Sequence, residues 1–270
     1  MIARDPAPSL IIFYAVAFGF AWAFWVPLAL HETGILTLSD AAYAFLNDSN
    51  PAAWGPLIAA LIVVTAAGGR VGLTDFLGRM VRVRFSISWY LVCLFLVPLI
   101  VLGAGVIAVY RGADTPISDV WSQPGVLPVA FLWIFFLGGP LQEEAGWRGV
   151  ASDQLEKNGL GALGASLVAG FFWGIWHLPL FFVPRAEIYY NQPIWGLVGS
   201  TMLLSVLLTW VYNNTGRSIF AVMLMHTSFN WSNYAFTTLQ SDLGGQTYFV
   251  LMILMVTGVT LMFGPSRLVK

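Results

Sequence analysis

Eight apolar stretches follow one another along the chain, at about residues 10–30, 52–68, 89–110, 127–141, 163–183, 194–211, 219–236 and 248–263. A bilayer core of about 30 Å takes roughly 20 helical residues to cross, and it offers no water to unpaired backbone groups. Stretches of this length therefore have one stable solution, the transmembrane helix. The chain is expected to be an all-α polytopic membrane protein, a bundle of about eight such helices. Composition agrees, with 58% hydrophobic and only 9% charged residues. A net charge of −1 leaves no basic footprint for nucleic acid. Cys93 is the single cysteine and lies in an apolar run, which excludes an intrachain disulfide and a thiolate metal cluster. No internal repeat, low-complexity tract or linker divides the chain, so residues 1–270 are expected to form a single integral-membrane domain. The N-terminus carries Arg4 and runs into the first span without a small-residue cleavage site, as a retained helix does.

The basic residues suggest an orientation. With the N-terminus in the cytoplasm, that side carries Arg4, Arg70, Arg79, Arg82, Arg84, Arg148, Lys157, Arg217, Arg267 and Lys270, against Arg111 and Arg185 on the other. This asymmetry fits the excess of Lys and Arg in cytoplasmic loops, an even number of spans, and a cell-membrane protein with both termini cytoplasmic. Residues 69–88 set Arg70, Arg79, Arg82 and Arg84 among Phe76, Leu77, Met80 and Val81. That is the pattern of a short amphipathic segment on an anionic leaflet, with membrane lipids as partner.

Three of the scarce charges fall within six positions, in Gln142-Glu143-Glu144-Ala145-Gly146-Trp147-Arg148-Gly149. A charge at the centre of a membrane helix costs about 2.5–3.5 kcal/mol on insertion scales, so such residues are rare and functional by default. Glu144 and Arg148 are four apart on one face with the carboxylate N-terminal, the better orientation for an ion pair. Glu143 lies about 100° away around the helix and is left without that partner. A carboxylate in a partly dehydrated site can serve as a general base. The plainer alternative is that both glutamates mark the mouth of a helix.

After this motif the first strong breaker is Asn158-Gly159, followed by Gly161. Read as the turn of a helical hairpin, it puts Glu143 fifteen residues before the turn and His177 sixteen after it. At 1.5 Å per residue both lie roughly 22–24 Å from the bend, and antiparallel packing brings them to one depth. Gly170 and Gly174 permit close approach of another helix, and Pro179 permits a kink just past the histidine. A third stretch carries His226 and Asn230, four apart on one face, a polar stripe that must meet a partner or a cavity and not lipid. Singly, each histidine is equally well a packing hydrogen-bonder. Together they make a hydrolytic set: a glutamate to deprotonate water, His177 to help hold it, and His226 and Asn230 to donate to the oxyanion. No serine nucleophile elbow or reactive cysteine competes.

These residues resemble the signatures of the CAAX prenyl protease and bacteriocin-processing (CPBP, formerly Abi) intramembrane proteases, which include the type II CAAX prenyl proteases. The first signature, two glutamates and then arginine after three further residues, matches Glu143, Glu144 and Arg148. Its Gly146-Trp147-Arg148-Gly149 variant is similar to that of prokaryotic members. The third, histidine then Asn or Asp four later, matches His226 and Asn230. The second, phenylalanine then histidine four later, is met in part, because Trp173 stands before His177. The signatures cover residues 142–230, within an expected catalytic core at about residues 127–236. The resemblance implies an intramembrane endopeptidase acting on a membrane-associated protein or peptide, prenylated CAAX substrates included. It also implies Glu143 as the catalytic glutamate, with Glu144, Arg148 and Trp173 as structural support.

Glu143, His177 and His226 would equally supply the two-histidine, one-glutamate ligand set of a catalytic zinc, and the family was long described as metalloproteases. The chain has no His-Glu-x-x-His helix, and resemblance to the characterised prenyl protease implies a metal-free mechanism, so no cofactor is expected. Two other classes also bury such residues. A proton-coupled transporter usually shows inverted repeats, and none is visible. A silent scaffold or immunity protein has no need of an intact Glu143, His177, His226 and Asn230.

Overall fold

The computed structural model describes residues 6–186, 188–190 and 192–270, and Arg4 lies outside them. Every regular element among them is helical: α1 (Pro6–Glu32), α2 (Asp40–Asp48), α3 (Gly55–Met80), α4 (Ile87–Tyr110), α5 (Val126–Leu137), α6 (Pro140–Gly146), α7 (Asp153–Leu155), α8 (Gly161–Trp176), α9 (Ile194–Asn214), α10 (Ile219–Ala235) and α11 (Asp242–Phe263). Several begin on a serine whose hydroxyl accepts a backbone N–H left unpaired by the first turn: Ser218 from Ala221 and Ser241 from Gly244. The chain is an all-α polytopic membrane protein.

Six stretches are helical, long and apolar enough to cross a membrane: Ser9–Glu32, Pro51–Met80, Ile87–Tyr110, Val126–Phe182, Ile194–Asn214 and Asp242–Phe263. Each of the eight expected stretches is helical, and two features separate that count from these six. Its fourth and fifth members both fall within Val126–Phe182, which turns at Gly159 (φ 90°) and Gly161 (φ 65°), positions where only glycine is unstrained. Its seventh is α10, whose 17 residues extend about 26 Å and fall short of a 30 Å core.

Close approach is built into the bundle by glycine. A Cβ on Gly170 would stand 2.6 Å from the Met202 Cα, and one on Gly174 would stand 2.8 Å from the Val198 Cα, so α8 and α9 touch backbone to backbone. The Thr201 hydroxyl crosses that seam to the Gly170 carbonyl at 2.9 Å. α6 meets α3 in the same way, through Gly146 against Pro56. α10 lies against α4, α5 and α6 and brings its polar residues to the carboxylates.

Two departures from regular helix frame the site. α3 breaks at Gly69 (φ 56°), which separates its membrane limb from the basic limb that follows. That limb is not simply laid on lipid, because Phe76 is fully buried and packs beside Gly149 and Ile219. Downstream of α6 the chain is π-helical at Trp147–Ser152 and again at Glu156–Leu160, the second holding Gly159 at φ 90° where the hairpin turn was expected.

Candidate active site

The break that makes the site is Gly138-Gly139-Pro140. α5 ends at Leu137, Gly139 takes φ 112°, and Pro140 opens α6 with its φ already helical. Gln142 ties the break, accepting from the Gly139 N–H at 2.9 Å and donating to the Leu137 carbonyl at 3.2 Å. A Cβ on Gly139 would stand 2.5 Å from Glu143 Oε1 and 3.7 Å from Asn230 Nδ2. The missing side chain therefore leaves a space that the carboxylate and the amide both border.

Glu143 is 7% exposed, and it is not the unpartnered carboxylate expected from helix geometry. The indole N–H of Trp173 donates to its Oε2 at 2.6 Å. This is a short bond to a charged acceptor, the stronger kind. Trp173 was expected only to support the site by packing; a phenylalanine at that position has no N–H to give. Oε1 makes no hydrogen bond with any described residue and is not sealed from solvent. One oxygen is held and the other is left to act.

Glu144 and Arg148 pair as expected, with Arg148 Nη1 3.0 Å from both carboxylate oxygens and both side chains fully buried. The same carboxylate takes a second partner, His226 Nδ1, at 2.7 Å. A carboxylate only accepts, so Nδ1 carries the proton and the ring presents Nε2 outward. His177 is set alike, its Nδ1 donating to the Trp173 carbonyl at 2.9 Å, again leaving Nε2. Tyr189 stacks on the His177 ring at 5.2 Å.

Trp173 is the hub of these contacts. Beyond the bond to Glu143 and the carbonyl under His177, its ring lies 4.3 Å beneath the Arg148 guanidinium carbon and 5.2 Å edge-on from His226. Asn230 is half-buried and donates one Nδ2–H to the Gly138 carbonyl at 3.0 Å, which leaves its second N–H unused. So Glu143, Glu144, Arg148, Trp173 and His226 form one connected cluster, His177 joins it through the Trp173 backbone, and Asn230 borders it at Gly138-Gly139. Gly139, Gln142 and Tyr189 were not foreseen; the Gly-Gly-Pro run just ahead of the glutamates was the signal for the first two.

The arrangement does not fit a metal through the alternative ligand set. Among the described residues, no three His, Cys, Asp or Glu side chains converge where they could hold one ion, so Glu143, His177 and His226 do not come together as zinc ligands.

Residues 125–232 match a protein family described as Rce1-like, type II CAAX prenyl endopeptidase. The chain is also similar to CAAX prenyl protease 2 of Methanococcus maripaludis, at 27% identity over 225 residues, 78% of this chain and 81% of that protein. The family match starts just ahead of α5 and ends in α10, and so encloses every residue of the cluster.

Proposed function

We propose that the chain is a member of the family of the Rce1-like, type II CAAX prenyl proteases and that it hydrolyses a peptide bond of a membrane-associated protein or peptide with water activated by Glu143. Oε1 of Glu143 takes a proton from a water molecule that His177 holds through Nε2. The hydroxide adds to the scissile carbonyl carbon, and the carbonyl oxygen becomes the oxyanion. Asn230 donates its second N–H to that oxygen, and His226, oriented by Glu144 through Nδ1, faces it with Nε2. Collapse of the intermediate breaks the C–N bond, and the proton on Glu143 passes to the departing amine.

The observation that carries this reading is the asymmetric hold on Glu143, Oε2 bound by Trp173 and Oε1 open above Gly139 beside Asn230. The test is cleavage of a membrane-associated peptide by the purified protein and by its Glu143→Gln variant. We expect no cleavage by the variant, an unchanged unfolding temperature, and no inhibition of the native protein by chelators. Cleavage by Glu143→Gln, or loss of native activity on chelation with recovery on adding zinc, refutes the mechanism.

A further inference from the structure

Away from this cluster, the connection between α3 and α4 and the turn between α9 and α10 enclose a crevice of about 650 Å³. Arg82, Arg84, Ser86, Trp89, Asn214 and Gly216 are among its lining residues, and no carboxylate is. Its wall is fastened at nearly every other group. Ser218 Oγ donates to the Arg82 carbonyl and the Tyr90 hydroxyl to the Val83 carbonyl, each at 2.6 Å. Phe85 stacks on Tyr90 at 4.3 Å, the Arg82 guanidinium donates to the Gly216 carbonyl, and Trp89 meets Trp210 edge-on at 4.8 Å. Arg84 is the exception: it is exposed and makes no hydrogen bond or ion pair with any described residue. The nearby acids are already engaged, Asp75 with Arg79 at 3.1 Å and Asp153 with both Lys157 and Arg217.

A fixed basic crevice with one uncommitted guanidinium calls for an anion, and two further features say which kind. α4 begins at the crevice wall, directing the positive end of a 24-residue helix to it. From there Ile87, Leu91, Phe95 and Leu99 run along α4 four apart, all exposed, as one lipid-facing stripe. A soluble phosphate would use the cations and ignore the stripe. We propose that the crevice binds the phosphodiester headgroup of an anionic phospholipid, with Arg84 and Arg82 on the phosphate and an acyl chain along the α4 stripe.

The test is native mass spectrometry of the full-length protein titrated with phosphatidylglycerol or phosphatidylcholine. One phosphatidylglycerol should be retained in preference to phosphatidylcholine. Arg84→Gln should weaken it about fivefold, Arg84→Gln with Arg82→Gln roughly 25-fold, and Arg84→Lys little. Arg84 is exposed and makes no hydrogen bond or ion pair with any described residue, so its variants should fold whether or not those of Arg82 do. Arg70→Gln removes a charge from the same basic limb outside the crevice and should change nothing. Equal weakening by Arg70→Gln would mean diffuse attraction of surface charge, and equal retention of phosphatidylcholine would mean no headgroup recognition. Displacement by glycerol phosphate at the same concentration as lipid would mean a soluble phosphate site. Any of the three overturns the proposal.

Discussion

Glu144→Gln should damage this protein twice, and the two injuries can be separated. The native carboxylate faces Arg148 at 3.0 Å with both groups fully buried, and it holds His226 at 2.7 Å. At an effective dielectric constant of about 20, one such pair is worth roughly 5 kcal/mol of Coulomb energy. Removing one partner of a buried pair costs about 3–5 kcal/mol, because the other charge is stranded. For a chain of this size that corresponds to a drop of about 6–20 °C in unfolding temperature. The second injury is chemical: a glutamine can present its N–H to His226 Nδ1, releases the tautomer, and should lower kcat by roughly 10²–10⁴-fold. Adding Arg148→Met removes the stranded cation and leaves an apolar side chain against the Trp173 ring. The double variant should regain most of the lost unfolding temperature, since replacing a whole buried pair by apolar groups is often neutral. It should stay inactive, because nothing restores the hold on His226. Thermal unfolding in detergent and peptide cleavage, measured on wild type and both variants, decide the matter. Activity returning with stability would refute the orienting role of Glu144, and a single variant as stable as wild type would refute the buried pair.

Trp173→Phe keeps an aromatic ring but deletes a bond to a carboxylate worth about 1.5–3 kcal/mol; the unfolding temperature should fall by about 3–12 °C and kcat roughly 10–100-fold with KM little changed, as thermal unfolding and steady-state kinetics below that temperature check. Asn230→Ala should lower kcat by about 10²–10³-fold at nearly constant KM, as expected of a donor used in the transition state; a normal kcat would return that amide to helix packing against Gly138. Reporter fusions near Arg82, Asn158 and Asn214 should read as cytoplasmic, and fusions near Asp40, Asp114 and Asp242 as the opposite side. A further fusion near Glu187, a position outside the described residues, is expected on that opposite side, and a cytoplasmic signal there would overturn the eight-span plan.

The helical architecture was legible because a bilayer leaves so few alternatives: apolar length alone gave nearly every long helix. The Glu144–Arg148 pair was legible for a similar reason, since spacing of four fixes a face. The partner of Glu143 and the second partner of Glu144 were not. Trp173 reaches Glu143 across a hairpin, and the direction of an indole N–H is set by tertiary packing that no local spacing encodes. His226 likewise meets Glu144 over 82 positions of chain. The connections within the bundle were less legible, because hydropathy is blind to backbone: the fourth and fifth expected stretches are the two arms of one hairpin within Val126–Phe182, and the seventh is a helix only 17 residues long.

The π-helical turn at Trp147–Ser152 carries a consequence for chain length. Such a turn is an α-helical turn with one residue more than it needs. It lies between α6 and the bend at Gly159, so deletion of one residue after Arg148 can close it to an ordinary turn without moving α6 or α8. A single-residue deletion in a membrane helix normally swings everything beyond it by about 100°. Here the spare residue would absorb the deletion, and a chain one residue shorter would keep Trp173 opposite Glu143.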